Sequence, residues 1–183
     1  IDAITIIKRS AAIVNHSLGK LDSEVKDAII SASDEILGKK FNQHFIVDVF
    51  QTGSGTSTNM NVNEVIANRA NEILGSKLGS NSPVHPNDHV NMGQSSNDVI
   101  PSAIHIAAKI AISKKLIPAL TLISNEFDSK IKEFDSIIKI GRTHLQDATP
   151  IRLGQEFSGY GASILNGTSR VFKSISSITD IAQ

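Results

Sequence analysis

The chain has 183 residues, 40% of them hydrophobic and 20% charged, a composition typical of one globular domain or parts of two. Its 18 basic and 18 acidic side chains cancel, and no Lys/Arg block could track a phosphate backbone, so nucleic acid is a poor partner. There is no cysteine, which excludes a disulfide framework, a thiolate nucleophile and Cys-ligated zinc or iron–sulfur; the cytoplasm, or a mitochondrial matrix in a eukaryote, suits such a chain.

No apolar run approaches the roughly 20 residues of a membrane span, and no basic-then-apolar leader is visible. The sequence opens at Ile1, without Met and already inside a helical pattern, so a truncated start is expected.

Ile4, Ile7, Ala11, Val14 and Leu18 recur at helical spacing, with Gly19 as a stop signal. Val25, Ile29, Ala32 and Ile36 repeat the pattern between a possible N-cap, Asp22, and a terminator, Gly38. Residues 45–50 form a short extended candidate that runs into a Gly/Ser/Thr-rich loop at 51–58. A helix is expected over 59–74, then a long connection over 76–94, of the kind that is functional or marks a domain junction. Residues 96–117 read as helix, Pro118 as a kink or restart, and the pattern resumes to about Phe134. A short apolar stretch at 137–140 precedes a polar loop at 141–150, and one long helix is expected from Ile151 to the end. Within it Ile164, Thr168, Val171, Ile175, Ile178 and Ala182 form a heptad seam that calls for partner helices. The expected fold is all-α: a mainly helical domain over 1–94, incomplete at its start, and the first part of a helical bundle over 95–183, with the junction near Gln94.

Three polar clusters interrupt the helices. In GSGTSTNMNVNEVIANRA (53–70), the glycines let the backbone approach a ligand closely, and Ser54, Thr56, Ser57 and Thr58 offer hydroxyls at a helix entrance, where free N–H groups and the positive dipole end favour an anion. An N-cap loop without a ligand is the plain alternative. In HPNDHVNMGQSSND (85–98), Ser95, Ser96 and Asn97 precede the next helix, and the Asn97 amide suits a planar carboxylate. His85 and His89 raise the question of a metal, but Pro86 between them prevents the shared helical face of an i,i+4 zinc pair. In GRTHLQDATPIRLGQEF (141–157), His144 is of the residue type best suited to proton transfer at neutral pH and could move a proton or orient water, or be structural; Arg142 and Arg152 are accounted for by ion pairs. This inventory suits a small carboxylate held by neutral donors. It does not separate a hydratase from a lyase, a transport module or a binding protein.

Together these three blocks resemble the fumarase/aspartase superfamily across essentially the whole chain. Aspartases typically read NPND, STND and GRTQLQDA where this chain has His85-Pro86-Asn87-Asp88, Ser95-Ser96-Asn97-Asp98 and Thr143-His144, so it looks like the class II (iron-independent) fumarases. The resemblance implies reversible addition of water to fumarate to give L-malate, a step of the tricarboxylic acid cycle, with no metal and no organic cofactor. It implies substrate contacts from Ser54, Gly55, Thr56, Ser95, Ser96, Asn97 and Thr143, with His144 acting on the water or its proton. His85, Pro86, Asn87 and Asp88 would match a second anion site. It also implies a homotetramer whose long helices share a central bundle and whose sites draw on several subunits. The family's flexible GSSxMPxKxNP loop is absent from these 183 residues, so the chain alone is expected to be inactive and to be part of a longer one. Aspartate ammonia-lyase, another superfamily lyase, or a non-catalytic helical oligomerisation module are the alternatives.

Overall fold

The computed structural model describes every residue except Val49, Thr52 and Gln183. The fold is all-α apart from a single two-stranded sheet among the described residues. The chain divides into two compact units, Ile1–Ala107 with the last residues from Ile181, and Ala108–Asp180.

The first unit is built on α1 (Asp2–Ser17), α2 (Ser23–Leu37) and α3 (Thr56–Ile73), with α1 and α3 both packed on α2. On α2 the expected face is buried: Val25, Ile29, Ala32 and Ile36. Asp22 occupies the N-cap position in extended conformation without a side-chain cap bond, and Gly38 takes the C-cap. On α1 the buried stripe differs from the expected one. Ile4, Ile7, Lys8 and Ala12 are buried, while Val14 and Leu18 face solvent. The buried face follows the four-residue row Ile4–Lys8–Ala12, so the last turn of the apolar pattern rotates outward. Each fully buried Ile or Val here stabilises the unit by roughly 1.5–3 kcal/mol.

The long connection is anchored by Asn71 on α3. Its amide donates to the Val84 carbonyl at 2.9 Å, and its oxygen accepts from the Val84 N–H at 2.8 Å. That pairing buries Val84 and fixes the approach to a wide π-type turn, Pro86–Val90. Residues 45–50 do not form the expected strand. Asn42–His44 make a 3-10 turn, the described residues after it belong to no sheet, and Ile46 and Phe50 are exposed; Val49 lies outside the described residues. An extended segment with no partner has nowhere to place its ladder hydrogen bonds.

α4 (Ser96–Ala111) crosses the boundary between the units and continues through a wide turn, Ile112–Leu116, into α5 (Ile117–Glu133). Pro118 sits in the first turn of α5, where its missing N–H is harmless. The stretch 141–150, expected to be loop, is most of an antiparallel hairpin of β1 (Ile138–Thr143) and β2 (Gln146–Arg152). The register runs from Ile138 opposite Arg152 to Thr143 opposite Gln146, with a shift between Ile140 and Arg142. Gly141 occupies that irregularity because a Cβ there would lie 2.8 Å from the Thr149 carbonyl oxygen. α6 (Leu153–Ser177) starts two residues later than expected and ends before the chain does, so Ile178, its C-cap, and Ala182 lie beyond the helical part of the expected seam. Ile164, Thr168, Val171, Ile175 and Ile178 are half-buried. α5 and α6 pack together, with Phe134 edge-on to Phe157 at 5.0 Å and Phe127 beside both Phe157 and Tyr160.

Candidate active site

Within the first unit, two helix starts meet. Gly55 caps α3 in the left-handed conformation (φ 65°), and a Cβ on it would lie 2.9 Å from Ile100 Cδ1, so glycine is required on two counts. Thr56, the first residue of α3, then places its hydroxyl 3.1 Å from that of Ser96, the first residue of α4, and 3.3 Å from Ser54. The N–H groups of both first turns and three hydroxyls thus gather in one place. Ser95 accepts from the Asn97 N–H at 3.2 Å, turning the chain into α4. Ser54, Thr56, Ser95 and Asn97 are exposed. Two positive dipole ends facing a donor-rich opening favour an anion.

His85 caps the Pro86–Val90 turn. Its Nδ1 accepts from the N–H groups of Asn87 (3.3 Å) and Asp88 (3.2 Å), and its own N–H donates to His89 Nδ1 at 2.8 Å. In the neutral ring Nε2 therefore carries the proton. Asp88 Oδ2 lies 3.3 Å from Nδ1. Pro86 is buried and holds the turn against the unit, whereas Asn87 and Asp88 are exposed. No group of three or more His, Asp or Glu side chains among the described residues is arranged to hold a metal ion.

Thr143 and His144 belong to the second unit. His144 and Leu145 form the two-residue loop of the hairpin, both with positive φ (50° and 61°), as a type I′ turn demands. The turn holds the imidazole at an exposed tip. Arg142 stabilises the loop by donating to the Leu145 carbonyl at 3.3 Å and lying 3.8 Å from Asp147, and Arg152 pairs with Asp135 at 3.0 Å, so both arginines are engaged as expected.

A family model described as Lyase matches residues 1–180. The chain belongs to that lyase family. It is 56% identical over 183 residues to the mitochondrial fumarate hydratase of Saccharomyces cerevisiae, covering all of this chain and 37% of that protein. It is 53% identical over 180 residues to the class II fumarate hydratase of Campylobacter jejuni, covering 98% of this chain and 39% of that one. Among solved structures, the Brucella melitensis fumarate lyase:delta crystallin matches with a TM-score of 0.94 at 43% identity, over 99% of this chain and 42% of its own. The recombinant class II fumarase of Schistosoma mansoni matches with a TM-score of 0.94 at 40% identity, over 98% and 38%. This lyase chain therefore spans about two fifths of the length of its relatives, and the resemblance carried by its three motifs is the one these comparisons find.

One polar group in this lyase chain escapes a reading of the sequence. Lys8 is fully buried in the first unit, donating to Asn91 Oδ1 at 2.7 Å and Gln94 Oε1 at 3.0 Å. Asn59 and Asn63 on α3 donate to the same Asn91 oxygen at 3.3 and 3.2 Å. Burial pushes the Lys8 amine down to about 7. The signal was present: Lys8 stands midway between Ile4 and Ala12 in a row that is otherwise apolar.

Proposed function

We propose that the full-length protein adds water reversibly to fumarate, giving L-malate. The observation that carries this reading is the meeting of the α3 and α4 starts at Thr56 and Ser96, an anion-favouring opening made of neutral donors. Ser54, Gly55, Thr56, Ser95, Ser96 and Asn97 would hold substrate carboxylate there through hydroxyl, amide and backbone N–H groups. Thr143 would bind a carboxylate, and His144 would act on the water or its proton. Addition of hydroxide beside a carboxylate places negative charge on the adjacent carbon and its carboxylate oxygens. Donors already fixed by helix starts and a tight turn stabilise that charge without reorganising, which is where such a site gains its rate. His85, Pro86, Asn87 and Asp88 form a second anion-binding turn on this reading, with His85 Nε2 as the donor.

Names of the relatives support the same chemistry, since those cited are fumarate hydratases, fumarases or fumarate lyases. Assembly as a homotetramer, with sites completed by neighbouring copies and domains dividing near Gln94, belongs to this proposal. A cytoplasmic or mitochondrial-matrix setting does too, and no helix of the described chain is long and apolar enough to cross a membrane.

Replacing His144 with Asn in the full-length protein tests the assignment. Turnover of fumarate, followed by its ultraviolet absorbance, should fall about 100-fold or more, the usual weight of a general acid–base group. An unchanged rate removes His144 from the mechanism, and a wild-type protein that adds ammonia rather than water overturns the hydratase assignment.

A further inference from the structure

We infer that Lys8 is a positioning residue: its buried amine ties α1 to the link 91–94 at the same Asn91 oxygen that α3 holds, and so keeps Ser96 in register with Thr56. This rests on the reading of the Thr56–Ser96 opening as the substrate site.

The link is short and carries two jobs. It leaves the Pro86–Val90 turn at Asn91 and enters α4 at Ser96, so its path sets where the second helix start lies relative to the first. Its internal bonds make it one unit: Asn91 donates to the Gln94 carbonyl at 3.1 Å, and Gln94 donates to the carbonyls of Val90 (3.0 Å) and Met92 (3.3 Å). Asn15 on α1 also donates to Met92 O at 3.1 Å. Lys8 grips both ends of this unit through Asn91 Oδ1 and Gln94 Oε1. Asn59 and Asn63 converge on the same Asn91 oxygen from α3, and Asn59 lies three residues after Thr56, one turn along that helix. Asn91 Oδ1 is therefore the point where α1, α3 and the link are joined, and Lys8 supplies its shortest bond.

A lysine is costly at such a point unless its bonds matter. The side chain is fully buried, and its bonded neighbours are neutral amides rather than carboxylates. Charged groups on the elements around it are engaged elsewhere or exposed: Arg9 pairs with Asp34 of α2, Glu64 of α3 is exposed, Asp88 lies by His85, and His89 accepts from the His85 N–H. The buried oxygens of Asn59 and Asn63 in the same cluster accept no hydrogen bond among the described residues. An apolar side chain of equal length would fill the space but leave Gln94 Oε1 without this donor and Asn91 held by its longer bonds alone.

The test compares wild type, Lys8→Met and Gln94→Ala in the full-length protein. Gln94 is only half-buried, so its variant keeps the core intact should Lys8→Met fail to fold. Amide hydrogen exchange is read over 90–99 and, as a control, over α2. Both variants should accelerate exchange in 90–99 about tenfold while leaving α2 unchanged. The kcat/KM for fumarate should fall about tenfold, carried mainly by KM because the proton-moving His144 is untouched. Unchanged exchange in 90–99, or acceleration spread equally over α2, overturns the positioning role. A wild type that does not hydrate fumarate overturns the reading of the site, and the exchange arm still decides the role of Lys8.

Discussion

In the first unit Ile29, Ala32, Val62, Ile66 and Val99 are wholly shielded from water, and three helices plus the Val84–Val90 segment close over them. In the second unit no hydrophobic side chain among the described residues is buried to that degree. α5 and α6 meet along half-covered rings, and Leu122, Leu165 and Phe172 remain 64%, 57% and 55% exposed. The difference is geometrical. Three packed helices enclose a volume, whereas two helices and a hairpin share only one seam, so each keeps an apolar flank. The first unit is thus a self-contained scaffold for the Thr56–Ser96 opening, while the second leaves apolar surface uncovered.

The sharpest way to break this contrast is a pair of truncations in the 183-residue chain. Ile29→Ala should lower the unfolding free energy of the first unit by about 2–5 kcal/mol in urea titrations, because the cavity forms in a closed core. Leu165→Ala should cost under about 1 kcal/mol, since much of that side chain is already in water. Equal losses would mean that the two units are packed alike.

A second effect, of a few kcal/mol, distinguishes the units by pH. Lys8 is held near 7 in the folded chain but titrates near 10.5 when unfolded. Below pH 7 both states carry the proton and the burial cost is fully present. From pH 7 upward the folded state releases the proton first, so stability rises with pH up to about 10. The unfolding free energy of wild type relative to Lys8→Met should therefore climb by up to about 1.4 kcal/mol per pH unit in that window and be flat below it. A flat difference across pH 7–10 would show that the amine is not buried as described. Smaller still, Gly55→Ala should cost about 1–2 kcal/mol from the left-handed backbone, plus whatever Ile100 must shift. In the full-length protein the proposed hydration of fumarate should slow with it; a stable Gly55→Ala protein with unchanged kinetics would show that the α3 cap is not critical to the opening.

The helices were legible because periodicity reports burial directly: α2 was read residue by residue. The hairpin was not. Its turn is His-Leu rather than the Asn-Gly or Asp-Gly that signals a type I′ loop, and its strands contain Gly141 and Pro150, which read as loop punctuation. The three polar clusters were visible as motifs, but the contact between Thr56 and Ser96 spans forty positions and depends on Asn71, Asn91 and Lys8 setting the path between them. Lys8 is not legible as a core residue because a lysine in an apolar row ordinarily reaches solvent.

The positive φ of His144 has a practical consequence for anyone probing this family. Backbone shape and side-chain chemistry impose separate demands there, and amino acids satisfy them in different combinations. Asparagine tolerates the left-handed turn and lacks the imidazole, so it isolates chemistry; a β-branched replacement such as Val disturbs the turn as well and confounds the two. A substitution series at this one tip, ranked by turn compatibility instead of by size, would separate lost reactivity from a lost bend.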